Sequence, residues 1–245
     1  MLKTPDKVRV AVLVSGGGTN LQALLDAGTR GELPSVEFAL VVSNIADAYA
    51  LERAENAGIP AFSIPRTEYP KQRDFEARLR ALLAEYRVDM IVLAGFLKIL
   101  TAEFVREWPQ RIINIHPALI PSFCGKGMYG LHVHEAVLAY GVKVTGATVH
   151  YVNEIPDGGQ IIEQKAVRVR AGDTPESLQK RVMRCAEWKI LPACTERVAK
   201  QLLREKEERS MKKTGFAALA VSLVLLFAVA AAVYGRLSGR YAPPP

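Results

Sequence analysis

The sequence predicts a doubly wound α/β fold, in which helices cover both faces of a mostly parallel sheet. Short β-branched and apolar runs alternate along the chain with segments of amphipathic helical periodicity. Within the runs, consecutive positions are apolar, which is typical of strands buried on both faces. The 245 residues, 49% of them hydrophobic and 23% charged, are enough to bury one core of ordinary size. Functional groups are then expected beyond the carboxyl ends of the strands.

The predicted elements alternate between strand and helix up to residue 140. The predicted strands of this part are Val8–Val14, Val36–Ser43, Ala61–Ile64, Met90–Ala94 and Arg111–Ile115. The predicted helices are Asn20–Ala27, Ala46–Ala57, Arg73–Tyr86, Ala102–Glu107 and Leu131–Tyr140. Two further strands, Thr145–Val152 and Gln160–Val169, precede a long helix from Pro175 to about Lys206. Thr174 as N-cap and Pro175 in the first turn mark its start.

The charge of the chain is concentrated at its C-terminal end. The formal net charge is +7, but residues 204–245 carry seven Lys or Arg against three Glu, which leaves about +3 for residues 1–203. A body so nearly balanced gives no electrostatic reason to expect binding to nucleic acid. Cys124, Cys185 and Cys194 lie far apart and outside any CxxC pattern. We therefore expect reduced thiols rather than a disulfide framework or a zinc site.

Three glycines, Gly16 to Gly18, lie between the first predicted strand and the first helix. Without Cβ atoms, their N–H groups can approach an anion at the N-terminus of that helix. The stretch lacks both the GxGxxG spacing of a dinucleotide site and the GK[ST] ending of a nucleotide P-loop. A monophosphate is therefore a better ligand for it than NAD or ATP, and a plain tight turn is the alternative.

Asn114 and His116 lie two residues apart near the end of a predicted strand, just before Pro117. Their side chains should therefore project from one face of the sheet. An amide with two donors and an imidazole that titrates near neutral pH could hold an oxyanion and deliver a proton. Alternatively, the histidine is a satisfied core residue beside a turn asparagine. Asp157, in a Pro-Asp-Gly-Gly turn, either forms that turn or faces the pair and favours imidazolium.

The remaining polar residues of this part of the chain are weaker candidates. His132 and His134 begin a predicted helix in an HxHE pattern that is not HExxH, and we expect both at the surface. His150 lies within a predicted strand and is assigned a packing role. Cys124 and Lys126 belong to a glycine-containing loop that could move over the site. Lys126 could meet a phosphate, but a solvated loop lysine is the favoured interpretation.

Several ordered motifs together resemble one family. The motifs SGGGTNLQALLDA, VVSN, AGFLKIL, INIHPALIPSF, GATVHYV and PDGGQII are similar to those of folate-dependent phosphoribosylglycinamide formyltransferases, along roughly residues 7–200. The resemblance implies a Rossmann-like sheet and an enzyme of purine biosynthesis. Such an enzyme transfers a formyl group from its co-substrate, 10-formyltetrahydrofolate, to the amine of glycinamide ribonucleotide. No metal is implied.

The resemblance also implies roles for individual residues. It makes Asn114, His116 and Asp157 the catalytic trio. It implies that the ribonucleotide is bound by Gly18, Thr19, Asn20 and Glu187. It places the folate against Leu97, Lys98, Ile99, Leu100, Asn114, Asn153, Glu154, Ile155, Pro156 and Asp157. The family usually has Glu-His where this chain has Glu187 and Trp188.

Two other functions remain possible at this stage. The first is another user of the same formyl donor, either a methionyl-tRNA formyltransferase or a formyl-folate hydrolase. A basic C-terminal RNA-binding module is expected of the former and an N-terminal regulatory domain of the latter, and neither is evident in the sequence. The second is a catalytically inactive, membrane-tethered binding protein, against which the intact trio argues. The oligomeric state is left open.

An uncharged run of 20 residues, Gly215–Tyr234, predicts a transmembrane helix, roughly 30 Å long at about 1.5 Å per residue. Five Lys or Arg precede it from residue 204 on, whereas only Arg236 and Arg240 follow. The positive-inside rule then predicts a cytoplasmic catalytic domain, tethered to the inner face of the cell membrane. A gene fusion at Met211 is an alternative origin of the run. The predicted organisation is a catalytic domain (1–203), a charged linker (204–214), a transmembrane helix (215–235) and a tail (236–245).

Overall fold

The structure, a computed structural model, describes residues 7–209 and 211–212. Its seven strands are β1 (Val8–Val14), β2 (Val36–Ser43), β3 (Ala61–Ser63), β4 (Met90–Leu93), β5 (Ile112–His116), β6 (Val144–Tyr151) and β7 (Ile161–Arg168). They form one sheet in the order β3-β2-β1-β4-β5-β6-β7. The first five strands pair in parallel, and β6 and β7 are antiparallel. The predicted α/β class with a mostly parallel sheet is therefore confirmed.

The helices follow the strands in the predicted alternation. They are α1 (Thr19–Thr29), α2 (Tyr49–Asn56), α3 (Gln72–Glu85), α4 (Ala102–Arg106), α5 (Leu131–Tyr140) and α6 (Pro175–Val182). A π-helical turn, Met183–Glu187, follows α6 directly. Every strand boundary lies within one residue of its prediction. The helix α2 begins three residues later than predicted, because Ala46 and Asp47 form a turn.

The central strands show why the sequence specifies this sheet. All residues of β1 except Arg9 are buried, and all four residues of β4 are buried. Consecutive buried positions require cover on both faces, which the intervening helices supply. The strand order reverses direction between β1 and β4, and the crevice outside their carboxyl ends is the usual binding place of such sheets.

The long helix predicted from Pro175 is interrupted in the structure. Its start is as predicted, because Thr174 and Ser177 form a capping box and Pro175 lies in the first turn. The α-helical pattern then gives way to the π-helical turn Met183–Glu187 before helical residues resume from 188 to 200. The apolar periodicity did not predict this turn, which widens the helix by one residue and so changes which side chains face the sheet.

The chain divides into two compact units, Met1–Lys200 and Gln201–Pro245. The first unit contains the whole sheet and helices α1 to α6. In the second unit, residues 201–209 are helical. The predicted end of the catalytic domain at residue 203 stays a prediction.

We withdraw the transmembrane helix predicted over 215–235. None of the helices in the described part of the chain combines the length and apolar character needed to cross a bilayer. The predicted segment itself lies outside the described residues. Length and hydropathy, on which the prediction depended, record the composition of a segment and not the structure that it adopts. The membrane tether depended on that helix and is withdrawn with it.

Candidate active site

The candidate site begins where the loops that follow β1 and β4 meet. Ser15, just after β1, donates its hydroxyl to the amide oxygen of Asn44 at 2.5 Å. The same hydroxyl accepts the backbone N–H of Leu97, just after β4, at 2.8 Å. One small side chain therefore joins three loops at the carboxyl ends of neighbouring strands, at the point where the strand order reverses.

The glycine loop after β1 is built so that its backbone faces the crevice. Gly18 has a φ of 69°, and a Cβ added there would lie 2.6 Å from the Cβ of Ala50, so only glycine fits. From α2, Ala50 N–H donates to Gly16 O at 3.0 Å and Arg53 Nε donates to Gly17 O at 2.8 Å. Within the described residues, no side chain caps the start of α1. Its first N–H groups can therefore serve an anion.

Asn20 and Glu187 form a buried polar pair beside this loop. Asn20 Nδ2 donates to Glu187 Oε2 at 2.6 Å, and Glu187 is the last residue of the π-helical turn. Burial raises the pKa of Glu187 to about 7, although the hydrogen bond from Asn20 opposes this shift. The amide oxygen of Asn20 has no hydrogen-bond partner among the described residues. π-Helical turns occur frequently at functional sites, and here one positions a glutamate at the cavity.

The structure brings Asn114, His116 and Asp157 together, as the resemblance implied. His116 Nδ1 lies 3.7 Å from Asp157 Oδ2, and that oxygen accepts the Gly125 N–H at 2.8 Å. His116 Nε2 lies 2.8 Å from the carbonyl oxygen of Phe123. Because a carbonyl only accepts, the proton of a neutral His116 lies on Nε2, and Nδ1 toward Asp157 is free to gain one.

The tight turn that carries Asp157 explains its position. Asp157 has a φ of 56°, in the left-handed region that aspartate tolerates better than most residues. Two residues later, a Cβ on Gly159 would lie 1.7 Å from the carbonyl oxygen of Tyr151, so glycine is required there. The Pro-Asp-Gly-Gly stretch is therefore both a turn and the support of a carboxylate, and the two interpretations of Asp157 are compatible.

His150 is a fourth member of this cluster, although the sequence suggested only a packing role. It lies opposite Asn114 in the antiparallel register of β5 and β6. Its Nδ1 lies 2.9 Å from Tyr151 O and therefore carries the proton, so its Nε2 accepts the Asn114 amide at 3.1 Å. The same Nε2 is 3.6 Å from Asp157 Oδ1. Knowledge of the strand register would have revealed it, and sequence alone does not supply that register.

Burial and charge act in opposite directions on this cluster. Burial lowers the pKa of His116 below its ordinary value, although Asp157 and the Phe123 carbonyl oppose the shift. Asp157 therefore favours the imidazolium form of His116, but desolvation outweighs this contribution. Burial opposes ionisation of Asp157 as well, but the hydrogen bond from the Gly125 N–H and the nearby His116 hold its pKa below the usual value.

Two adjoining cavities contain the predicted site residues. The larger, of about 540 Å³, is lined by the trio and by all four predicted ribonucleotide residues, Gly18, Thr19, Asn20 and Glu187. The smaller, of about 120 Å³, is lined by all ten predicted folate residues, including Leu97–Leu100 and Asn153–Asp157. Asn114 and Asp157 line both cavities, so they lie where two ligands would meet. The roles of these residues stay predictions.

The described residues contain no group of three or more His, Cys, Asp or Glu side chains arranged to hold a metal ion. The polar side chains that line the cavities include His116, the amide of Asn114 and the carboxyl groups of Asp157 and Glu187. These are the donors and acceptors of proton transfer and anion binding.

Comparison with known proteins identifies the family. Residues 8–195 match the formyl transferase family. This chain belongs to that family. Among curated formyl transferases, it is 36% identical over 215 residues to the phosphoribosylglycinamide formyltransferase of Haemophilus influenzae, covering 85% of this chain and 98% of that protein.

Other relatives agree on the family but differ in length. The chain is 46% identical over 200 residues to the bovine trifunctional purine biosynthetic protein adenosine-3, covering 82% of this chain and 19% of that protein. It therefore spans about a fifth of the length of such trifunctional relatives. The crystal structure of glycinamide ribonucleotide transformylase 1 from Symbiobacterium toebii has a TM-score of 0.75 and 40% identity, over 82% of this chain and 92% of that one.

One predicted surface residue of this formyl transferase lies elsewhere. His132 is exposed and pairs with Glu135 at 3.0 Å, as expected. His134 is wholly buried and lines the larger cavity, so its predicted surface position is wrong. Burial, with a smaller contribution from His116, lowers the pKa of His134 to about 4. The signal was its spacing of three residues from the buried Val137, which places both on one face of α5.

Proposed function

We propose that this chain transfers the formyl group of 10-formyltetrahydrofolate to the amine of glycinamide ribonucleotide, a step of purine biosynthesis. The observation that carries the proposal is a single cavity with the uncapped start of α1 at one end and the Asn114, His116 and Asp157 cluster at the other. The full-length match to the Haemophilus formyltransferase supports the same substrates. The ribonucleotide and the folate are thus the expected small-molecule partners.

The larger cavity would hold the ribonucleotide. Its phosphate fits the N–H groups of Gly18, Thr19 and Asn20, because no side chain of the described residues caps this helix start. Glu187, with its pKa raised to about 7, can accept or donate a hydrogen bond near neutral pH and suits a ribose hydroxyl. The amine would then point along the cavity toward Asn114 and His116.

The smaller cavity would hold the pteridine end of the folate. Its rim presents Leu97 and Ile99, which are 56% and 65% exposed, and Ile155, which is 65% exposed. Exposed apolar side chains around a cavity suit a flat aromatic ligand, while main-chain groups can pair with the edge of its ring. The formyl group would then lie beside Asn114 and Asp157, which line both cavities.

The reaction begins when the neutral amine attacks the formyl carbon and the carbonyl oxygen becomes an oxyanion. Asn114 can donate its second amide N–H to that oxyanion, because the first is held by His150. The oxyanion then collapses to the new amide as the bond between the formyl carbon and the folate nitrogen breaks. In the course of this exchange the amine must lose a proton and the departing folate nitrogen must gain one. His116 lies at the cavity and can carry this proton. Its lowered pKa makes the imidazolium a stronger acid, and Asp157 stabilises that cation as it forms.

The test is the absorbance change that accompanies loss of the formyl group from 10-formyltetrahydrofolate. We expect the change only when glycinamide ribonucleotide is present, with the formylated ribonucleotide as product. Loss of formyl without the ribonucleotide would indicate a hydrolase, and transfer to methionyl-tRNA would indicate a tRNA formyltransferase. Either outcome would replace the proposed function, and so would the absence of all three reactions.

A further inference from the structure

We propose that Glu76 is a positioning residue for the folate site, which holds the loop after β4 in shape from behind. The inference rests on the proposed function, because this loop supplies four of the predicted folate residues, Leu97 to Leu100. Glu76 itself lies on α3, lines neither of the two cavities described above, and is only 3% exposed.

The contacts of Glu76 converge on the end of this loop. Its Oε1 accepts the backbone N–H of Thr101 at 2.7 Å, and its Oε2 accepts the Thr101 hydroxyl at 2.6 Å. Gln72, one turn earlier on α3, donates its Nε2 to Glu76 Oε1 at 2.7 Å and to the carbonyl oxygen of Ile99 at 3.0 Å. Two side chains of one helix therefore hold both a donor and an acceptor of the loop backbone.

A buried carboxylate needs such partners to be tolerated. Removing a charge from water is costly unless hydrogen bonds replace the lost solvation, and Glu76 receives three short ones. Thr101 is also the N-cap of α4, where its hydroxyl accepts the Phe104 N–H at 3.2 Å. Glu76 thus connects α3, the loop and the start of α4 through one residue.

The position of the loop matters because of what it presents to the cavities. Leu97 and Ile99 are held with more than half of their surface exposed, although apolar side chains tend to collapse onto the protein. At its beginning, the loop is held by Ser15, which accepts the Leu97 N–H at 2.8 Å. Glu76 and Gln72 hold its end, so the apolar rim is preorganised before a ligand arrives, which lowers the entropy lost on binding.

The test is Glu76→Met, which keeps the length of the side chain and removes both acceptors. We expect KM for 10-formyltetrahydrofolate to rise roughly tenfold or more, with KM for glycinamide ribonucleotide within about twofold of wild type. Glu76→Gln should restore most of the folate affinity, because its amide oxygen can still accept the Thr101 N–H. The matched control is Glu103→Met on α4, where the glutamate side chain is 87% exposed, and its constants should not change.

In the kinetic test, an unchanged folate KM in Glu76→Met would overturn the proposal, and so would an equal rise in both KM values, which indicates general disorder. Should Glu76→Met fail to fold, Thr101→Val against Thr101→Ser tests the same contact, and only the valine should raise the folate KM. Calorimetry with tetrahydrofolate needs no formyl transfer. Weaker tetrahydrofolate binding in Glu76→Met than in wild type would therefore support the role of Glu76 even if the proposed reaction failed, and equal binding would reject it.

Discussion

The two ends of the larger cavity present different polar groups, main-chain groups at one end and side-chain groups at the other. At one end, the glycine loop and the start of α1 offer main-chain N–H groups, and Gly18 is required because a Cβ would meet Ala50. At the other end, Asn114, His116 and Asp157 offer side chains whose protons and charges matter. In the proposed function, the first end would recognise an anion through backbone shape, whereas the second would depend on the chemistry of single atoms.

This difference determines how each end can fail. A main-chain site tolerates exchange of most side chains but not the addition of a Cβ where two backbones approach closely. A side-chain site tolerates small changes of shape but not the loss of the one group that carries a proton. Substitutions at the glycine end should therefore change substrate binding, and substitutions at the other end should change turnover.

The largest effect is expected for His116→Ala. Because the variant loses the group proposed to carry the proton, kcat should fall roughly 100-fold to 10,000-fold with little change in either KM. Steady-state kinetics would measure this, and circular dichroism would check folding. His132→Ala, which removes an exposed histidine, is the control and should keep its activity. Near wild-type turnover in His116→Ala would remove this residue from the mechanism.

The strands and most helices of the sheet could be predicted because their signals are local. Apolar runs such as VRVAVLV in β1 and MIVL in β4 indicate strands buried on both faces within a few residues. The glycine end of the cavity is local as well, since residues 16–20 are contiguous. The π-helical turn at Met183–Glu187 was not predicted, because a single extra residue in a helical turn leaves the apolar pattern almost unchanged.

The side-chain end could be predicted only in part because it is assembled from distant positions. Asn114 and His150 are brought together by the β5–β6 register, and Asp157 by the turn that follows β6. Residues alone indicated a possible pair, and the resemblance to a family supplied the third member. The hydrogen bond of His150 was not predicted, because the sequence pattern of a histidine in a buried strand is the same whether its ring only packs or also forms a hydrogen bond. Side-chain orientation across an antiparallel register is the information that was lacking.

The next effect concerns Glu187, which lies beside the glycine end. Its pKa of about 7 exceeds the ordinary 4.5, so the folded protein holds a proton that the unfolded chain releases as pH rises above 4.5. Protonated Glu187 therefore contributes to the free energy of unfolding at low pH, and this contribution is lost as pH rises through 7. Between pH 4.5 and pH 8, the free energy of unfolding of the wild type should therefore fall by about 3 kcal/mol relative to that of the neutral Glu187→Gln variant, at about 1.4 kcal/mol per pKa unit.

Urea unfolding of both proteins across this pH range would measure the difference between their free energies of unfolding. Glu103→Gln, which replaces a glutamate whose side chain is 87% exposed, is the control. A constant difference between wild type and Glu187→Gln from pH 4.5 to pH 8 would show that Glu187 titrates normally, and the glutamate would then be solvated rather than buried.

A smaller effect is expected at the glycine loop. Gly18→Val should raise KM for the ribonucleotide about tenfold or more, because a Cβ 2.6 Å from Ala50 forces the loop away from the phosphate. KM for the folate should change much less. Gly31→Val is the matched control, since Gly31 has a similar φ of 75° but no atom within 4 Å of an added Cβ. Equal rises in both KM values of Gly18→Val would indicate misfolding instead.

The smallest effect, and the sharpest test of the side-chain end, is expected for His150→Phe. The ring of His150 touches Asn114 through one hydrogen bond of 3.1 Å, and that bond decides which end of the amide faces the cavity. Without it the amide can rotate, so its oxygen would often occupy the place where a donor must meet the oxyanion. Loss of one neutral hydrogen bond is worth about 1 kcal/mol, so kcat should fall roughly fivefold to tenfold while both KM values stay nearly constant. His132→Phe, at an exposed position, is the control and should leave kcat unchanged. If His150→Phe instead raised KM for the folate at constant kcat, His150 would shape the smaller cavity that it lines, and the orientation of Asn114 would have to come from elsewhere.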